Sequence, residues 1–355
     1  MKTAKNGKIE FLRFVFTMSV FLFHVGRDFA KRNIMISENI SFFGEGRIGV
    51  DFFFLVSGYL AAASIYKNIN QECNLAEDTG RFMIRKIKGV WPYHILVIIA
   101  TLLFRALFSS KSLLVTMIEG LPNIFFLQMS GLPGKNLINV EWYISSMLLA
   151  LCILYPICKK YYLFFTRIIA PITGYLIIGY LIREVGCLGS PKKFLGFTYA
   201  GNIRAVGVIC LGMFAFEMIR IIKESETLRQ KRLLFTIVEI IGYALVGYYM
   251  MGTELSAKFG GTMLFVLTVA VAISFSELSY GSKLFNNKFC YMLGKITLPL
   301  YMLQNLVRTI VKSGMSQFGF KEIVLAELLL AGVSSIILIV IVEFINKCKT
   351  NCRRA

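Results

Sequence analysis

The sequence predicts an all-α membrane protein, a polytopic bundle of about ten transmembrane helices. Three observations predict it. Of 355 residues, 56% are apolar, with a mean hydropathy of +0.67, above the apolar share of about 45–50% usual in soluble proteins. Apolar runs approach the roughly 20 residues that carry a helix across a bilayer, and the segments between them are short. Lys and Arg gather in alternate intervening segments. This composition excludes a soluble globular enzyme, a disordered chain and a disulfide-stapled secreted domain.

The first apolar run starts near Ile9 and has no small-residue cleavage site. It is therefore expected to remain as the first span, 9–28, rather than to be removed as a signal peptide. Further spans are expected at 47–66, 88–108, 141–158, 167–184, 200–220, 232–251, 259–277, 289–311 and 322–345. Pro92 falls in the first turn of the third, where proline is tolerated. The stretch 116–130 is also apolar, but it is short and holds Pro122.

The basic residues arbitrate between ten spans and eleven. With the N-terminus inside, one face gathers Lys2, Lys5, Lys8 and Arg13, then Lys67, Arg81, Arg85, Lys86 and Lys88, and finally Lys347, Lys349, Arg353 and Arg354. With the intervening inner loops added, that face holds the larger share of the 39 Lys and Arg. The asymmetry favours ten spans with both termini in the cytoplasm. It makes 116–130 a re-entrant or surface helix on the outer side. The domain organisation expected is one membrane domain, 1–346, followed by a short basic tail, 347–355.

The formal charge is +19. In a soluble protein that would point to nucleic acid; here the basic residues flank apolar runs, and no nucleic-acid partner is expected. The eight cysteines are Cys73, Cys152, Cys158, Cys187, Cys210, Cys290, Cys348 and Cys352, with no CxxC pair and only two His in the chain. Neither a zinc nor a haem site is expected.

Polar groups inside spans are costly and mark interior paths. Arg13 and His24 lie eleven positions apart on the first span. Eleven steps of 100° end about 20° past three full turns, so the two share one helix face about 16 Å apart along the axis. Arg13 is placed at the cytoplasmic mouth and His24 in the outer third. A phosphate-bearing donor could rest on Arg13, and an extended arm such as that of a coenzyme A thioester could reach His24. Asp51 opens the second span at a similar depth. It could cap that helix or fix the tautomer of His24. Glu141, Trp142, Arg204, Gln304, Asn305 and Arg308 all fall toward outer ends of spans and suggest a pocket open to the outside. Arg85, Lys86 and Lys88 could bind phosphates or act as a stop signal. His94, near the inner boundary, is read as structural.

The ordered residues resemble the acyltransferase 3 family of bacterial integral membrane acyltransferases. The similarity is carried by Phe11-Leu-Arg13 with His24, by Gly49-Val-Asp51-Phe-Phe-Phe-Leu-Val-Ser57-Gly58, and by Arg85-Lys86 with Trp91-Pro92-Tyr93. It continues through Trp142-Tyr-Ile-Ser145 with Tyr155-Pro156, Arg204 with Gly212, and Leu300-Tyr301. The sequence departs from the family pattern at Gly89, where a second Arg is usual, at Met147, where some members have Glu, and at Gln304, where many have His. It is more similar to the exopolysaccharide type than to the O-antigen type.

The resemblance implies a multi-pass enzyme of the bacterial cytoplasmic membrane that moves an acyl group, acetyl above all, from acyl-CoA to an extracytoplasmic glycan or lipid-linked sugar. It implies Arg13 and His24 as essential residues, with Asp51 orienting His24. Arg13, Arg85, Lys86 and Lys88 would hold the donor; Glu141, Trp142, Arg204, Tyr301, Gln304 and Asn305 would contact the acceptor. Acyl-CoA enters as co-substrate, with no tightly bound cofactor and no metal. A homodimer is left open. No esterase-like domain is appended, so the acceptor is expected to reach this chain directly or through a separate partner. His24 could act as general base or carry the acyl group covalently. The alternative is a transporter or flippase for a polysaccharide precursor.

Overall fold

The computed structural model describes residues 6–30, 42–71, 74–108, 112–252, 257–314 and 318–352. Lys2, Lys5, Cys73, Arg353, Arg354 and the side chain of Cys352 lie outside the described residues. Each expected span becomes a helix. In chain order these are α1 (Gly7–Ala30), α2 (Gly49–Lys67), α3 (Leu75–Phe108), α4 (Leu113–Ile124), α5 (Trp142–Lys160) and α6 (Tyr162–Val185). They continue with α7 (Ala200–Glu224), α8 (Arg232–Met250), α9 (Gly260–Ser276), α10 (Lys288–Gly314) and α11 (Phe320–Cys352). Between α6 and α7 the chain forms a small antiparallel ribbon, β1 (Phe194–Leu195) with β2 (Thr198–Tyr199).

Among the described residues nine helices are long and apolar enough to cross a membrane. The expected span that falls short is α10. It has 27 residues, but its buried side includes Thr297, Gln304 and Arg308. Packing against α1 and α11 compensates for this polarity, because protein rather than lipid covers the polar stripe.

α2 sits at the centre. Apart from a few polar residues, Asp51 and Ser57 among them, it is apolar on every side, and it is buried for most of its length, as a helix surrounded by others must be. Its neighbours are α1, α5, α7 and α9. The closest approach is to α7, and glycine makes it possible. A Cβ on Gly58 would come within 2.1 Å of the Ile209 carbonyl oxygen, and one on Gly212 within 2.2 Å of that of Leu55. The two backbones therefore touch directly, a contact that small residues allow between membrane helices.

Two boundaries differ from the sequence reading. α3 begins at Leu75, well before the expected 88, and its 34 residues extend about 51 Å. Its charged first turns are good helix formers, and Glu77 and Asp78 suit a helix N-terminus. α3 runs antiparallel to α5: Asp78 accepts hydrogen bonds from Tyr155 (2.9 Å) and Lys159 (2.5 Å) near the end of α5, whereas His94 meets Glu141 at its start. His94 therefore lies about 24 Å along α3 from Asp78, level with the start of α5 and well inside the bundle rather than at the inner boundary expected for it. α4 folds back along α3 and returns the chain to His94, whose Nε2 lies 3.0 Å from the Ile124 carbonyl. The outer flanks of this hairpin, Leu103, Leu107, Leu114 and Ile118, are exposed and apolar. The second difference is the tail, where residues 347–352 continue α11 as helix. No Pro or Gly stops it, and Lys349 in the last turn suits the helix dipole.

Gly58→Ala is expected to lower stability by about 1–3 kcal/mol, the usual cost of overpacking. Gly179→Ala on α6, where an added Cβ would meet nothing within 4 Å, should be neutral or slightly stabilising. Thermal unfolding of both variants in detergent checks this; equal shifts would contradict the close α2–α7 contact.

Candidate functional site

Two cavities, the first mainly apolar and the second mainly polar, lie end to end along α1, α2, α5 and α10. One, of about 600 Å³, is lined by Glu10 and Arg13 of α1, Phe53 and Ser57 of α2, Lys86 of α3, Tyr143 and Met147 of α5, and Tyr301 of α10. The other, of about 620 Å³, is lined by His24, Arg27 and Asp28 of α1, Val50 of α2, Trp142 of α5, Arg204 of α7, and Asn305 and Arg308 of α10. On α2 and α10 the two linings are three and four residues apart, one helical turn or about 5 Å. Arg13 and His24 thus face two successive chambers. Phe53, Tyr143 and Tyr301 stand between them, with ring centroids 5.9 to 6.2 Å apart. The Tyr301 hydroxyl donates to the Val140 carbonyl at 2.7 Å, which fixes the ring across the junction.

In the Arg13 chamber the guanidinium of Arg13 is half-buried and pairs with Glu10 one turn earlier, at 3.0 Å. Lys86 enters from α3 together with Gly89 and Val90, the i, i+3, i+4 face of that helix. Arg85 and Lys88 point elsewhere and are exposed, so the expected donor set of four cations is reduced to two at the cavity. The Met147 sulfur accepts from the Ser57 and Tyr143 hydroxyls, at 3.1 and 3.4 Å. Gly89 and Met147, two of the departures from the family pattern, both line this chamber.

In the other chamber His24 is half-buried, and its Nδ1 is buried without a hydrogen-bond partner. Asp51 does not orient it. Both Asp51 oxygens are taken by Arg204, whose Nε and Nη2 donate at 2.7 and 2.5 Å. Arg204 also donates to the Leu188 carbonyl and lies 5.9 Å over the Trp142 ring. Arg204 is the stronger partner because it is permanently charged and offers a planar fork matched to a carboxylate. Asp28, one turn beyond His24, is held by Arg308 and by Lys312 at 2.6 Å.

The residues expected to contact an acceptor therefore separate. Trp142, Arg204 and Asn305 line the His24 chamber, whereas Tyr301 lines the Arg13 chamber. Glu141 is fully buried, accepts from Asn123 at 3.0 Å and lies 2.8 Å from His94 Nδ1. It fastens α3 and α4 to α5 and faces neither chamber. Gln304 is buried too; its amide donates to the Tyr301 carbonyl at 2.8 Å, and its oxygen has no partner. The sequence reading missed Arg27, Arg47, Lys192, Lys193 and Lys312 at the His24 chamber and Tyr143 at the other. Arg27 was detectable, one turn from His24; Lys192 belongs to a loop that nothing local ties to the site.

Fold and chambers together define an integral membrane protein with two internal cavities, one toward each end of the bundle. The acyltransferase 3 family model, described as an acyltransferase domain, matches residues 6–344. The chain belongs to that family and is an enzyme that transfers acyl groups. No curated protein and no solved structure matches it significantly. The transporter alternative has no comparable support.

Removing one partner of a buried pair costs about 3–5 kcal/mol because the other charge is left uncompensated. Asp51→Asn and Arg204→Met are each expected to destabilise on that scale. The double variant should lose clearly less than the sum. A double-mutant cycle on thermal stability in detergent checks this, and simple additivity would deny the pair its anchoring role.

Proposed function

We propose that the protein transfers an acyl group, acetyl above all, from cytoplasmic acyl-CoA to a hydroxyl of an extracytoplasmic glycan or lipid-linked sugar. The setting proposed is a bacterial cytoplasmic membrane with both termini inside. The observation that carries the reading is the pair of chambers stacked on one set of helices. One offers Arg13 and Lys86 to an anionic donor; the other offers an imidazole nitrogen without a partner.

Phosphates of the donor lie by Arg13 and Lys86, where point charge and guanidinium fork suit them. The extended arm passes Phe53, Tyr143 and Tyr301 and presents the thioester near His24, about 16 Å along α1. His24 takes the proton of the acceptor hydroxyl, the oxygen attacks the thioester carbonyl, and CoA leaves as thiol after regaining a proton. Asn305 borders this space and can position the acceptor. Asp51 and Arg204 act on the site by holding Trp142 and α7 in place.

The test is label transfer from radioactive acetyl-CoA in inside-out membrane vesicles supplied with the native glycan pool. His24→Ala is expected to lose about 100-fold or more in rate, the usual contribution of a general base, while unfolding at the wild-type temperature. Transfer by His24→Ala at the wild-type rate would refute the assignment. Phe53→Ala, which widens the junction, should raise hydrolysis of acetyl-CoA in the absence of acceptor, measured as free labelled acetate. Unchanged hydrolysis would mean that the rings do not shield the thioester from water.

A further inference from the structure

The His24 chamber carries more positive charge than its own structure neutralises. Arg204 is matched by Asp51, and Arg47 by Glu45 in a two-point pair at 2.9 and 2.8 Å. Arg308 and Lys312 share the single carboxylate of Asp28. Arg27, Lys192 and Lys193 remain; Lys193 donates to the Glu184 carbonyl at 2.5 Å, at the outer edge of the chamber. Arg27 lies against the Phe23 ring, 5.9 Å from its centroid, and Lys192 donates to the Asn139 side chain at 3.0 Å. Among the described residues none of the three has a carboxylate partner, and Arg27 and Lys192 are the two that lie beside each other. Both of these side chains are exposed at the mouth of the chamber; partial loss of hydration, with the Arg27 charge beside it, lowers the Lys192 ammonium below the usual lysine range. Cations that face one another in this way are stabilised by an oxyanion placed between them. The lining offers no unpaired carboxylate to a neutral sugar.

The position of the surplus matters. Arg27 follows His24 by three residues on α1, so it lies on the same face, about 4.5 Å further along the axis. That separation fits an anion on the reacting sugar or on its immediate neighbour. Gly189 keeps the opposite wall close: a Cβ there would meet the Arg47 guanidinium within 1.9 Å.

We propose that the acceptor is an anionic glycan whose carboxylate or phosphate binds between Arg27 and Lys192 while its reacting hydroxyl meets His24. The inference rests on the acyl-transfer reading and names the substrate class of that site.

The experiment uses the full chain in proteoliposomes with labelled acetyl-CoA. Acceptors are native envelope glycans split by anion exchange into neutral and anionic fractions. Label should enter the anionic fraction. Reduction of carboxyl groups with carbodiimide and borohydride, or phosphatase treatment, should abolish the labelling, and whichever treatment does so identifies the anion. The double variant Arg27→Gln, Lys192→Gln should raise the acceptor KM about a hundredfold, the loss of two charge-assisted hydrogen bonds. Added salt should reduce the wild-type advantage, and the acyl-CoA KM should not move.

Equal labelling of the neutral fraction overturns the inference and leaves acyl transfer standing. So does a rise in the acyl-CoA KM instead, which would make this the donor's chamber. If the wild type labels no fraction, the acyl-transfer reading fails. Binding of the tritiated anionic fraction to the solubilised protein then decides separately: salt-sensitive retention that the double variant loses supports the anion site, and equal retention by both refutes it.

Discussion

A carboxylate taken into a helical interior needs a partner that satisfies both of its oxygens, and Asp51 on α2 finds one in Arg204 on α7. The pair would cost more than it returns if either charge stood alone. Together they fix the rotation of the two helices about their common contact, the same contact that Gly58 and Gly212 bring to backbone distance. Arg204 extends that constraint outward, to the Leu188 carbonyl in the loop before β1 and to the Trp142 ring at the start of α5. One buried charge pair thus sets three walls of the chamber in which His24 lies.

The same arrangement leaves His24 uncommitted. The nearby carboxylates are engaged: Asp51 by Arg204, and Asp28 by Arg308 and Lys312. Imidazole chemistry needs an available nitrogen, and this chamber supplies one by giving every neighbouring acid a stronger cationic partner. The charged groups therefore divide into those that neutralise one another to hold the walls and those, Arg27, Lys192 and Lys193, that border the cavity without a carboxylate among the described residues.

Hydropathy and periodicity made much of this legible. Runs of near-span length gave the helices, and the 3.6-residue repeat placed Arg13 and His24 on one face. They could not show that these residues open into successive chambers, because that depends on Phe53, Tyr143 and Tyr301 meeting across three helices. The Asp51–Arg204 pair joins residues 153 positions apart, and local pattern carries no information on such a partner. Sequence position assigns His24 and Asp51 to one depth, yet depth does not decide which side chains face each other. Arg85 and Lys88 were grouped with Lys86 by closeness in sequence. On a helix that starts at Leu75, however, only the face shared with Gly89 and Val90 reaches the cavity.

The polarity of α10 has a consequence for how the protein is made. A segment that carries Gln304, Asn305, Arg308 and Lys312 enters hydrocarbon poorly by itself. Its stability there comes from α1, which supplies Asp28 for Arg308, and from α11, which follows it in the chain. α1 is synthesised first, and its carboxylate must wait for a counterion encoded 280 positions later. The two spans therefore complete each other, and this ion pair can form only after α10 has been made.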